Sequence, residues 1–220
     1  MSRSGKSENP DLVRQKLFYE KVFGLTTQFG RFSGFFESTF IKPGRPVIFF
    51  NNLSLKEIVG AIKWKNISLW VHDLSIFEEK AEKFVKPNLR LRPSLLFVVA
   101  HSQSGKKIVL SQEERTTLDR NFGYSEKLKA GEFVAEHQNI LTLKQTLVLF
   151  FQDYLANSGD CGQMTAEIKY YLCRPVELAG RKIIPCVYWG ELGLTIIFWL
   201  PEMAGTEFYC YCASAKSPKN

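Results

Sequence analysis

The stretch RKIIPCVYWGELGLTIIFWLPEMAGTEFYCYCA, residues 181–213, decides the fold. Its three runs, RKIIPCVYWG, LGLTIIFWL and TEFYCYCA, are rich in β-branched and aromatic residues, and the turn-forming pieces GE and PEMAG separate them. TAEIKYYLC at 165–173 has the same character and is set off from them by AG at 179–180. Together they predict consecutive antiparallel strands, a C-terminal meander.

Upstream the punctuation is helical. Asn9 followed by Pro10 is a cap and first-turn pair; Val13, Leu17, Phe18 and Val22 recur at helical spacing, and Gly24 stops the run. Ser54-x-x-Glu57 and Ser75-x-x-Glu78 both have capping-box spacing, in which the serine oxygen takes an orphan N–H and the glutamate returns the bond. SQEE at 111–114 opens a further helix ended by Gly123, and LTLKQTLVLFFQDYLAN at 141–157 is a longer one closed by Gly159. ISLWVHD and SLLFVVA, between these helices, read as strands.

The sequence therefore predicts an α+β protein: about five helices packed on one face of a mainly antiparallel sheet. We expect one domain over 9–213 between a flexible basic N-terminus, 1–8, and a flexible tail, 214–220. A boundary near 158–164 would strip the long helix of its apolar partner. With 220 residues, 45% of them hydrophobic and 23% charged, the chain can bury a core without a metal or disulfide staple. Its apolar runs fall short of a membrane span and its start, MSRSGKSENP, is polar, so a cytoplasmic or nuclear location is expected, with no transmembrane segment and no secretion. The five cysteines, 161, 173, 186, 210 and 212, include no CxxC pair and read as reduced, mostly buried thiols. No metal or other cofactor is expected.

Charge is unevenly placed. Residues 1–110 carry 18 Lys or Arg against 9 Asp or Glu, and residues 111–220 carry 11 against 13, for a net of +9 and −2 within the total of +7. The basic half points to an anionic partner, nucleic acid or an acidic membrane surface. Two groups of cations qualify: Arg31, Lys42 and Arg45, set among the rings of FGRFSGFFESTFIKPGRPVIFF (29–50), and the stripe Lys80, Lys83, Lys86, Arg90 and Arg92. Five glycines and prolines in that Phe-rich stretch predict an irregular segment. Within it, one helical turn would put Phe32, Phe36 and Phe40 on a buried face and leave Phe35 outward beside Arg31 as a contact residue.

SGDCGQ at 158–163 resembles the nucleophile loop of chymotrypsin-like proteases and their viral cysteine relatives over four residues, Gly159 to Gly162. The resemblance implies a cysteine peptidase with Cys161 as nucleophile and His72 or His101 as base. The long helix before Cys161 stands where that fold has strands, and a helix C-terminal turn on Gly159 and Gly162 accounts for the same residues. HSQSGKK at 101–107 lacks the first glycine and the final Ser or Thr of a phosphate loop and reads as a hairpin turn. The leading expectation is a non-enzymatic binding or structural protein, such as a viral or cellular component of matrix or nucleoprotein type, whose basic half meets nucleic acid (RNA or DNA) or an acidic membrane surface and whose C-terminal sheet is available for self-association or a partner protein. A module that pairs with another protein through exposed Phe residues is the second alternative.

Overall fold

Terminal chemistry sets the first helix. In the computed structural model, which describes residues 8–25, 29–37, 44–50, 53–65, 67–71, 93–104, 128–156, 168–178, 180–190 and 193–214, α1 spans Pro10–Phe23. The Asn9 side chain accepts from Asp11 N at 2.9 Å, and its amide donates to Phe36 O at 3.1 Å, tying the helix start to the next element. Gly24, at φ 65°, turns its N–H back to Glu20 O, which only a residue free of a Cβ does cheaply.

The Phe-rich stretch is not one irregular segment. It divides into a 3-10 turn at Phe29–Phe32, a one-turn helix α2 at Ser33–Glu37, and strand β1 at Arg45–Phe50. Gly30 and Gly34 are tolerated because these turns are short. Pro46 is tolerated because β1 is an edge strand, where a missing N–H breaks no ladder bond.

The remaining elements are α3 (Leu55–Trp64), β2 (Leu69–Val71), β3 (Pro93–Ser104), β4 (Leu128–Lys129), α4 (Ala130–Glu136), α5 (Leu143–Ala156), β5 (Tyr171–Leu172), β6 (Val176–Leu178), β7 (Arg181–Gly190), β8 (Gly193–Trp199), β9 (Ala204–Gly205) and β10 (Glu207–Ala213). The capping box of α3 is closed on both sides: Ser54 N donates to Glu57 Oε2 at 2.7 Å, and Glu57 N to Ser54 Oγ at 3.2 Å. Ser75 lies outside the described residues, as do SQEE and Gly159.

The main sheet runs β1-β3-β10-β5-β7-β8-β2, with β6 on β7, and is antiparallel except at β10–β5 and β8–β2. The α+β class holds. β7 and β8 form the expected hairpin, with Ile184 opposite Trp199 and Gly190 opposite Gly193. β10 does not continue that meander. It crosses back to lie between β3 and β5, placing Cys210 opposite His101. Gly193, at φ 99°, ends the turn; a Cβ there would collide with the Ser68 carbonyl, which accepts from Leu194 N and seats β2.

Helices cover both faces of the sheet rather than one. Alternation along β10 sends Phe208, Cys210 and Cys212 into a small core under α4, while Tyr209 and Tyr211 lean to the side of α1, α3 and α5. β8 divides likewise, Leu194 and Ile196 to the large core and Ile197 and Trp199 to the small one. The large core is aromatic: Tyr19 lies 4.5 Å from Phe50, and Phe151 5.4 Å from Phe18. α4 has no side-chain cap; the carbonyls of Met203 and Pro201 accept from Ala130 N and Gly131 N at 2.8 and 2.9 Å instead. No helix among the described residues is long and apolar enough to cross a membrane.

Candidate binding cleft

α1 lies along the open edge of β1 and uses two faces. Toward the strand, the Gln15 side chain donates to Pro46 O at 3.0 Å and accepts from Ile48 N at 2.8 Å, the two bonds a neighbouring strand would make. The Tyr19 hydroxyl donates to Ile48 O at 2.6 Å. On its flank, Asp11, Arg14, Leu17, Phe18, Lys21 and Val22 recur at helical spacing and form one wall of a cleft of about 360 Å³. The opposite wall is the end of α5, with Gln152, Asp153, Leu155 and Ala156; Arg45 and Pro46 of β1 and Lys65 beyond α3 close it.

The cleft is apolar within and basic at its margin. Leu17, Phe18, Val22, Pro46 and Leu155 supply the apolar lining, and Leu17 keeps 41% of its surface exposed. Arg45 donates to Asp153 through both terminal guanidinium nitrogens, at 2.8 and 3.0 Å. Partial burial alone would weaken its proton affinity, but the Asp153 hydrogen bonds and charge overcome that and hold it above the usual arginine value. Arg14 stands 3.7 Å from Asp11. Four cations against these two carboxylates leave a local surplus of +2, which Lys21 and Lys65 represent; Lys65 Nζ also sits 4.2 Å from the exposed Trp64 ring.

Gln152 is the anomaly. It is 8% exposed, lines the cleft, and its Nε2 is buried without a hydrogen-bond partner. Native interiors leave few such groups, because a buried donor without an acceptor forfeits its hydration uncompensated. Burial raises the nearby Tyr19 hydroxyl far above its usual value, and its interaction with the Gln152 side chain opposes that shift.

The described cations singled out in the sequence are engaged inside the protein. Arg31 donates to Pro93 O at 2.9 Å and its guanidinium lies 4.6 Å from the Phe32 ring centroid. Arg45 lines the cleft and is clamped by Asp153. Lys42, Lys80, Lys83, Lys86, Arg90 and Arg92 lie outside the described residues, as do Cys161 and His72. Phe32 is buried as expected, but Phe35 is half-buried against the core just as Phe36 is, so the outward role given to Phe35 is not supported.

His101 is exposed on β3 with its ring 5.2 Å from His137; partial burial and the neighbouring imidazole both lower its proton affinity. His137 Nδ1 stands 2.8 Å from the Phe133 carbonyl, which can only accept, so Nδ1 carries the proton. Cys210 and Cys212 face the small core with sulfurs 3.7 Å apart. Their shared hydrogen bond, aided by burial, raises Cys210; the same bond lowers Cys212 although burial opposes it. Among the described residues no group of three or more His, Cys, Asp or Glu could hold a metal ion.

Sequence reasoning missed Arg14, Lys21, Lys65 and Gln152. One signal was available: Gln152 is the lone amide in the otherwise apolar run LVLFFQ, a position that demands a partner. The chain matches no protein family, no curated protein and no solved structure.

Proposed function

We propose that the protein is a non-enzymatic binding protein whose basic N-terminal half receives an anionic partner, and that the cleft between α1 and α5 is where it does so. The observation that carries this reading is the combination of an apolar lining with a surplus of two positive charges around about 360 Å³, a volume at the low end of small-molecule sites. The pairing of Arg31 and Arg45 within the protein leaves the nucleic-acid reading without a described row of open cations.

An anionic aromatic dye, 8-anilinonaphthalene-1-sulfonate, tests it. Fluorescence titration of the whole chain should give one saturable site. The double charge reversal Lys21→Glu/Lys65→Glu should weaken it about tenfold, and Leu17→Glu should abolish it, with circular dichroism unchanged because all three side chains are on the surface. Non-saturable enhancement, or equal binding by the variants, refutes the reading.

A further inference from the structure

Cys210 and Cys212 present two sulfurs in contact, 3.7 Å apart, on the face of β10 that turns to the small core. Residues two apart share one side of a strand, and at about 3.4 Å of rise per residue their Cα atoms stand about 6.8 Å apart, the upper end of the range a disulfide spans. Closing the sulfurs to about 2.05 Å therefore asks for a buckle at Tyr211, the residue between them, and not for a new strand register.

The two thiols are unequal. Cys210 is fully buried, and its S–H bond to Cys212, aided by burial, holds its proton on. Cys212 keeps 6% of its surface, and as the acceptor of that bond it gives up its own proton more readily than an ordinary cysteine, although burial opposes this. The thiolate is the nucleophilic form of the side chain, so Cys212 is the attacking sulfur and Cys210 the protonated neighbour that resolves what forms on it. The other buried thiols differ: burial pushes Cys173 up to about 12 and raises Cys186 as well, so neither ionises near neutral pH. The cover over the pair is also thin, since α4 has seven residues and no side-chain cap, and such a helix opens locally at low cost.

We infer that Cys210 and Cys212 are a site of reversible oxidation by a hydroperoxide, closing to a disulfide within β10 with Cys212 as the first sulfur to react. The Cys212 thiolate attacks the O–O bond; one oxygen stays on sulfur as a sulfenic acid, and the other leaves and takes a proton to become water when hydrogen peroxide is the oxidant. The Cys210 sulfur then attacks the Cys212 sulfur, the S–O bond breaks as the S–S bond forms, and the oxygen departs as water with the Cys210 thiol proton. The two thiols lose two electrons and the peroxide gains them. The site lies in the small core and is independent of the cleft.

The whole reduced chain, treated with hydrogen peroxide under conditions that convert glutathione fully to its disulfide, should lose two hydrogen atoms by intact mass, and dithiothreitol should restore them. Alkylation in denaturant with iodoacetamide before reduction and N-ethylmaleimide after it should put the second label on Cys210 and Cys212 and the first on Cys173 and Cys186. Cys212→Ala should stop the reaction and leave Cys210 unoxidised. Cys210→Ala should leave a sulfenic acid at Cys212 that dimedone traps.

A chain that keeps its mass, gains oxygen without a link, or carries the second label on another pair overturns the inference. Oxidation of Cys210 in Cys212→Ala at the rate of the unaltered chain overturns the order of reaction. Should either variant fail to fold, the differential labelling of the unaltered chain decides whether the site exists.

Discussion

The two sides of the sheet are built by different means. On the side of α1, α3 and α5, large rings interlock: Phe18, Tyr19, Phe50 and Phe151 meet edge to face, and the two longer helices that flank the cleft carry their own terminal caps, Asn9 for α1 and the Thr142–Gln145 pair for α5. On the other side a short helix, α4, borrows its N-terminal hydrogen bonds from the Pro201–Met203 carbonyls and rests on cysteines and a few rings. The first side is held by its own sequence-local signals and by ring volume. The second is held by a loop far along the chain and by small thiols, so each part of it depends on pieces that arrive separately.

The comparison can be broken most directly by cavity formation. Phe151→Ala removes a ring that is 1% exposed in the large core and should cost close to 5 kcal/mol; Phe133→Ala, equally buried under α4, should cost nearer 3, both within the roughly 3 to 5 expected for a buried Phe. The thin layer has more freedom to collapse into its void. Urea denaturation of both variants decides it, and equal losses would erase the distinction.

A smaller effect, of pH, is shared by the two sides through one buried thiol in each core. Burial pushes the Cys173 thiol up to about 12, with a Thr146 hydrogen bond opposing it, and raises Cys186 as well. Both stay protonated in the folded protein while the unfolded chain ionises from about 9. Their contribution is therefore complete below pH 9 and is lost as pH climbs from 9 toward 12, at up to about 1.4 kcal/mol per unit for each thiol. Urea midpoints at pH 8 and pH 10 should differ accordingly, and Cys173→Val should reduce the difference. A pH-independent midpoint would contradict the burial assigned to these groups.

The smallest effect is at the helix ends. Asn9→Ala and Ser54→Ala should each cost about 1 kcal/mol, because each strips a cap bond. Lys129→Ala, at the start of α4, should cost close to nothing, since its side chain caps no N–H. Thermal unfolding of the three variants measures this last contrast.

What the sequence disclosed follows the same line. The limits of α1 and the capping box of α3 were legible because Asn9, Gly24, Ser54 and Glu57 act within a few residues of one another. The crossing of β10 into the sheet was not, because the alternation of TEFYCYCA fits any neighbour and nothing in it names β3 and Tyr171 over β8. The Phe-rich stretch misled because its glycines and prolines, costly in a long helix or a central strand, cost little in a one-turn helix and an edge strand. The cleft was hidden for a further reason: its walls, α1 and α5, are distant in sequence, and only the lone amide of Gln152 pointed toward it.

The hold of α1 on β1 has a bearing on how the protein is made. A chain leaves the ribosome N-terminus first, so Gln15 and Tyr19 exist before Pro46 and Ile48 do, at separations of 31 and 29 residues. The apolar run Val47–Phe50 finds its ladder partner only when Pro93–Val98 has been synthesised. Until then its backbone would offer a bare template to any neighbouring nascent chain. α1 is already synthesised by then, and its bonds to Pro46 O, Ile48 N and Ile48 O cover the strand's other edge, leaving the edge that β3 later takes.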